Sequence, residues 1–412
     1  MRNLLQSKKV GSTPDKNIRG STLVIVMLFI VISAVLGVAV LTLGAQSRIF
    51  AIRGASEIAA RCAADAGLTK AIYQMNQKLT VDETSLGIWN PNPVFLPSAT
   101  DQVLPNCDAS YSYKITPESG DFTIEVIGKS GQARKTVYAN VGLHGPFEYA
   151  ICGRDALKLY SNTVITGYNY DPGEILKIGT ISTNSDAIEL KSGTTINGDV
   201  VVGVGGDPAI VIKDLGATIT GTAYAIYEEP CLPPVTVPAQ ISALPYQPDI
   251  KKSTTITTSG KYRKIELNNL EIVMIDGPVT LYVTDRITLD NGAQLQINGA
   301  NPNASLTLYL GCDFEGKNGG SINNTTADAE KLKIYGLPDC RSLKFKNSTE
   351  FYGALYAPDA EVEFNNSADA YGSVVAKEFE QKNSAGFHYD ASLRNVTVND
   401  EGLRFAIKRW SE

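Results

Sequence analysis

From Leu23 to Leu43 the chain runs 43 − 22 = 21 residues without a charge, interrupted only by Ser33, Gly37 and Thr42. At about 1.5 Å per residue, a helix of that length matches the roughly 30 Å hydrocarbon core of a bilayer. The run restricts the chain to one N-terminal anchor, with everything beyond residue 79 on one side of a membrane. Arg2, Lys8, Lys9, Lys16 and Arg19 precede it against a single acid, Asp15, while Arg48, Arg53 and Arg61 follow with Glu57 among them. That bias favours a cytoplasmic N-terminus and an exported remainder. A secretory signal has a shorter apolar region, about 7–15 residues. Here the best small-residue cut, before Gln46, has Leu43 three positions upstream. A plain uncleaved anchor is the bland alternative.

After Gly44 the chain reads AQSRIFAIRGASEIAARCAADAGLTKAIYQMNQKL, rich in helix formers and free of proline. Ile49 and Ile52, Ile58 and Cys62, then Leu68, Ile72 and Met75 recur at helical spacing, so one helix is expected over residues 21–79. Its first half is apolar all round and its second half amphipathic. Cys62 reads as a small buried hydrophobe of that helix.

Two features, Arg19-Gly20 before the apolar run and the block Ala63-Ala64-Asp65-Ala66-Gly67-Leu68 with Ala71, give residues 17–78 a resemblance. The segment resembles the N-terminus of type IV pilin-like proteins, specifically PilX-type minor pilins and pseudopilins. The resemblance implies a prepilin peptidase that cuts after Gly20, leaving Ser21 as an N-methylated mature terminus. It also implies other pilins and the assembly platform as partners. Major pilins carry Glu as the fifth mature residue, where this chain has Ile25. A subunit without that acid cannot pair with a neighbour's terminal amine, which favours a tip or priming position. Ser33 and Gly37, four apart, offer a close helix-packing surface.

The 412 − 79 = 333 residues beyond the helix suffice for one large or two ordinary domains. The chain carries a formal charge of −6; removing a leader worth 5 − 1 = +4 leaves −10. An acidic ectodomain argues against phosphate-backbone binding, so no nucleic-acid partner is expected. Two histidines in the chain, His144 and His388, leave little room for His-based catalysis or a multi-His metal site. The six cysteines, at 62, 107, 152, 231, 312 and 340, show no zinc-like spacing.

Residues 80–150 read as a Pro- and Asn-rich loop followed by a small antiparallel meander. Its strands are Tyr111–Ile115, Phe122–Ile127 and Arg134–Val141. A small sheet on the outer end of a long helix is what the pilin resemblance implies. The remainder is dominated by repetition. Segments ending Thr-Gly or Asn-Gly recur at Gly167, Gly198 and Gly221. Leu281-Tyr-Val and Leu308-Tyr-Leu follow 27 residues apart, and Asn347, Asn366 and Asn383 each precede Ser. A Pro-rich stretch, 229–252, interrupts the repeats as an extended excursion. Short alternating strands returning about every 20–30 residues describe a right-handed parallel β-helix, each rung burying its inward residues against its neighbours. A β-sandwich is the alternative. Residues 151–228 and 253–395 are the expected rungs, with 396–412 a C-terminal tail. Adjacent rungs would bring Cys312 and Cys340, 28 apart, within reach of a disulfide. Residues from about Gly277 to Leu393 also resemble an uncharacterised β-helix domain found with PilX-type N-termini.

The expected fold class is therefore α+β, a long helix with a small β head and a mainly-β solenoid. The expected function is structural, a minor pilin-like subunit in the cytoplasmic membrane, reaching the cell surface on assembly and displaying the solenoid to a surface or glycan ligand. No catalytic residue, cofactor or metal is expected. The alternative is a membrane-anchored β-helix enzyme acting on extracellular polysaccharide, with Asp359, Glu361, Glu363 and Asp369 as its acids. Those acids also read as an ordinary solvated face. Asp290-Asn-Gly292 could offer oxygens to Ca²⁺, and His388-Tyr389-Asp390 reads as a cap on the last rung.

Overall fold

The computed structural model describes residues 21–81, 94–118, 121–169, 175–227, 229–230, 232–346, 350–365, 369–382, 385–394 and 404–411. Gly20, Cys231 and the three Asn-Ser pairs at 347, 366 and 383 lie outside the described residues.

A single helix, α1, spans Ser21–Val81, 61 residues or roughly 90 Å. No proline interrupts it, and its apolar half needs no tertiary partner to satisfy its backbone. Four strands follow: β1 (Ala99–Val103), β2 (Ser110–Glu118), β3 (Asp121–Ser130) and β4 (Ala133–His144). They pair antiparallel in chain order, and strict alternation in β3 turns Phe122, Ile124 and Val126 inward. The fifth strand of this sheet comes from the expected tail: Arg404–Ser411 pairs antiparallel with β4, Phe405 opposite Leu143 and Ile407 opposite Val141.

The sheet sits on the outer part of α1. Ala64, Leu68, Ala71 and Met75 form one buried core with Tyr113, Ile115, Ile124, Val126, Val137, Val141 and Phe405. The Ala-rich block lets the two surfaces approach closely. A Cβ placed on Gly128 of β3 would lie 1.9 Å from the Ala60 carbonyl oxygen and 2.6 Å from the Ala64 nitrogen. The helix and sheet thus meet backbone to backbone. Cys62 does not share this stripe: it is exposed, because the buried positions 60, 63, 64, 67, 68, 71 and 75 take the opposite face.

Beyond residue 150 the body is mostly strand, and every register within it is parallel, which excludes an antiparallel sandwich. One column runs Val279–Val283, Leu306–Leu310, Leu332–Gly336, Ala354–Tyr356, Val374–Ala376, Ile151–Gly153, Ile178–Thr180 and Val200–Val202. A second takes Ile265–Leu267, Ile287–Leu289, Phe314–Glu315, Leu343–Phe345, Val362–Phe364, Phe379–Gln381, Leu157–Leu159 and Ile188–Leu190. Inward residues from both columns make the main core, aliphatic in most passes and packed with Phe314, Phe345, Phe351, Phe364, Phe379 and Phe387 near its middle.

The passes are not stacked in chain order. One block runs from Ile151 to Ala225 and another from Tyr246 to Asp390. They join where Ala370–Gln381 pairs with Ile151–Leu159 and Gly386–Asp390 with Val164–Tyr168. The chain therefore enters the stack in its middle. The Pro-rich segment connects the blocks along a flank: Val235 is buried with Tyr309, Tyr335 and Tyr356, and the Tyr356 hydroxyl donates to the Pro233 carbonyl at 2.7 Å.

Side-chain amide hydrogen bonds link successive corners of the stack. Asn291 Nδ2 donates to Asn268 Oδ1 at 2.7 Å, and Asn318 Nδ2 to Asp290 Oδ1 at 2.8 Å. Asn269, Asn291 and Asn318 hold positive φ there, a conformation that asparagine adopts at lower cost than most side chains.

Candidate functional site

Two regions carry chemistry beyond packing: the bare half of α1 and one outward column of the stack.

Ser21 is the first residue of α1. From Leu23 to Leu43 every large side chain is exposed, among them Ile25 at 53% and Leu41 at 74%. Among the described residues this is the one helix long and apolar enough to cross a membrane. Ser33 and Gly37 both lie on its open surface, and a Cβ at Gly37 would meet nothing within 4 Å. Ile49, Phe50, Ile52 and Ile58 continue the exposed apolar surface to the level of the head.

The four candidate acids do not converge. Asp359 is paired with Arg154 at 2.8 Å, Glu363 with Lys382 at 3.1 Å, and Glu361 is exposed. Glu363 belongs to a lengthwise charge row set by the parallel register: Glu315, Lys344, Glu363, Glu380, Lys158, Glu189 and Lys213 stand on successive passes. Glu380 pairs with both Lys158 at 3.1 Å and Lys382 at 3.2 Å. Burial would raise its pKa, but hydrogen bonds to the two lysines outweigh that and hold it below the usual carboxylate range. Glu363 and Glu380 face each other one pass apart and share Lys382, while Lys158 pairs with Glu380 from the next pass, so ion pairs account for this face without a substrate.

Asp369 is different. It lies near His388, which sequence reasoning treated as a cap. Tyr352, Tyr371, His388 and Thr166 occupy consecutive passes in one outward column. Tyr352 and Tyr371 stack at 4.4 Å, Tyr371 stacks on the His388 imidazole at 4.6 Å, and Tyr168 meets Tyr371 edge-on at 5.1 Å. His388 Nδ1 is 2.5 Å from Thr166 Oγ1, and its Nε2 is 3.3 Å from Asp369 Oδ2. The other carboxylate oxygen of Asp369 accepts the Gly386 N–H at 2.7 Å. All of these side chains are half-buried. Nothing in the sequence pointed to Thr166, which stands 222 residues from His388.

The expected Cys312–Cys340 disulfide is not formed: both thiols are free and buried. Burial pushes Cys312 up to about 11 and Cys340 higher still, so both stay protonated at neutral pH. Asp290 serves as an acceptor for Asn291 N–H and Asn318 Nδ2. Among the described residues no group of three or more His, Cys, Asp or Glu side chains is placed to hold a metal.

The fold and these surfaces define a class: a long helix, apolar and exposed in its first half, bearing a small antiparallel sheet and a body of parallel passes. Residues 236–396 match a family model described as a domain of unknown function, DUF7305. No curated protein matches the chain. Among solved structures, the chain is similar to the competence-associated pilin ComZ from Thermus thermophilus, at 13% identity and a TM-score of 0.25. That alignment covers 86% of this chain and 97% of the other. A TM-score of that size does not define a common fold.

Proposed function

We propose that this chain is a minor pilin-like subunit. It is held by residues 23–43 in the cytoplasmic membrane as a single-pass protein with an exported ectodomain, then drawn into a type IV pilus or pseudopilus. The observation that carries the reading is the division of α1. Its first half offers a bare apolar surface to lipid or neighbouring helices, and its second half is fixed to a β head. The leader ending at Gly20, the PilX-type block and the absence of an acid at Ile25 support a position at the tip or in priming rather than along the shaft. The body, read as a parallel β-helix, is then the displayed part, available for a surface or glycan ligand. Prepilin peptidase, other pilins and the assembly platform are the proposed partners, and Ser21 the methylated terminus.

N-terminal sequencing of protein from sheared surface filaments tests this. Mature chains beginning at Ser21 are expected, and Gly20→Ala should abolish both cleavage and surface display. Unprocessed wild-type chains, or normal display of Gly20→Ala, would refute the reading.

A further inference from the structure

We propose that Thr166, His388 and Asp369 form an acyl-transfer site that hydrolyses an ester carried by a neutral, polyhydroxylated chain lying along the stack. The inference rests on the parallel register of the body and is independent of the pilin-like role.

The protonation pattern follows from the neighbours. Ionised Asp369 is acceptor-only, so the imidazole nitrogen facing it, Nε2, carries the ring proton and donates to Oδ2 across 3.3 Å. That leaves Nδ1 as an acceptor, and the Thr166 hydroxyl lies 2.5 Å away to donate to it. A hydroxyl, a base within hydrogen-bond reach and a third group that fixes the base's tautomer are the parts an activated nucleophile needs. Relative to the familiar serine arrangement the imidazole is turned end for end, with Nδ1 rather than Nε2 facing the nucleophile.

The arrangement is supported on every side. The Gly386 N–H anchors Asp369 at 2.7 Å. A Cβ at Gly386 would lie 2.8 Å from His388 Nε2 and 3.1 Å from Asp369 Oδ1, so a larger residue there would push that pair out of place. Tyr371, stacked on the imidazole at 4.6 Å, fixes the plane of the ring. Thr166 is half-exposed on an outward position of Val164–Tyr168, within reach of solvent.

The chemistry balances with water as the only co-reactant. Thr166 Oγ1 bonds to the ester carbonyl carbon while its proton passes to His388 Nδ1. The tetrahedral adduct collapses, the carbon–alkoxy bond breaks, and the Nδ1 proton goes to the departing alkoxide oxygen. Water then attacks the acyl-threonine, His388 takes its proton, and that proton returns to Thr166 Oγ1 as the acid leaves. Asp369 stays ionised throughout.

The substrate class is set by the surroundings. The Tyr352 hydroxyl donates to Glu350 at 3.0 Å, and Tyr371 and Asp369 stand one pass further along the stack. Passes about 4.8 Å apart thus present donors and acceptors in a row, suited to a chain of hydroxyls. The carboxylates repel an anionic polymer.

The test uses the purified full chain in detergent with p-nitrophenyl acetate and an O-acetylated neutral oligosaccharide. Wild-type protein is expected to release acetate from both, and mass spectrometry of quenched reactions to find the acetyl group on Thr166. Thr166→Val should lower the rate at least about 100-fold, with Thr166→Ser retaining activity. His388→Gln should lower the rate on both esters to about the same extent as Thr166→Val. Gly386→Ala should lower kcat more than it changes KM. Acetyl on other residues only, Thr166→Val hydrolysing at the wild-type rate, or a wild type inert toward both esters would overturn the proposal. Mapping the adduct on wild-type protein keeps the test decisive if a variant fails to fold.

Discussion

Replacing Gly128 by alanine adds one methyl group at the place where β3 touches the backbone of α1. The new Cβ would stand 1.9 Å from the Ala60 carbonyl oxygen, and real Cβ atoms do not approach closer than 3.0 Å. Helix and sheet must therefore part by at least 3.0 − 1.9 = 1.1 Å. Neither contact is a flexible side-chain end, so the strain cannot be shed by a rotamer change. Opening that seam loosens Ala64, Leu68, Val126 and Val137, which close the head core there. Forced overpacking of this kind costs about 1–3 kcal/mol. For a folded unit of this size that lowers the melting midpoint by several degrees. Gly54→Ala supplies the opposite sign: its Cβ would meet nothing within 4 Å, and alanine favours a helix by about 1 kcal/mol over glycine. Near-UV circular dichroism melts of both variants in detergent, with amide exchange across α1 and β3, check the pair. If Gly128→Ala melts with wild type, or moves in the same direction as Gly54→Ala, the backbone contact does not set the stability of the head.

The charge row predicts acid sensitivity. Glu380 and Glu315 are held below their ordinary pKa chiefly by lysine partners, so their contribution is full above the unfolded carboxylate range and disappears as pH falls through the folded values. Melting midpoints taken from pH 7 down to 3 should fall, and Glu380→Gln should flatten the slope; an unchanged slope would discount the row. Tyr356→Phe removes the hydroxyl that holds Pro233 and should cost about 0.5–1.5 kcal/mol, with protease cleavage in the Pro-rich segment rising before the body melts. Cys152, pushed up to about 12 by burial, should with Cys312 and Cys340 resist a thiol reagent until denaturant is added, whereas Cys62 and Cys107 react at once.

Much of this architecture was readable from local pattern. The uncharged run and proline-free continuation specified α1, and alternation in Phe122–Ile127 specified the meander. The repeated Gly and Asn corners pointed to parallel passes. What escaped depends on residues far apart in the chain. Arg404–Ser411 alternates poorly, with exposed residues from Ile407 onward, and is a strand only because β4 offers an edge 260-odd residues earlier. The docking of Ile151–Leu159 onto Ala370–Gln381 leaves no trace in either segment, since each reads as an ordinary inner strand. The same distance hid Thr166 beside His388, and with it the one histidine constellation in the body. The acids were visible, but their partners across passes were not, so a lysine-compensated row resembled a cluster.

That middle entry governs how the chain is made. Residues 151–225, synthesised first, must wait for residues 370–390 before their starting edge is covered, and the head must wait for Phe405. Asn76 of α1 marks that closure, its amide oxygen accepting the Phe405 N–H at 2.6 Å. Without Arg404–Ser411 the outer edge of β4 is left open on α1. Helix, head and body are thereby tied together by a strand that follows the whole body in the chain.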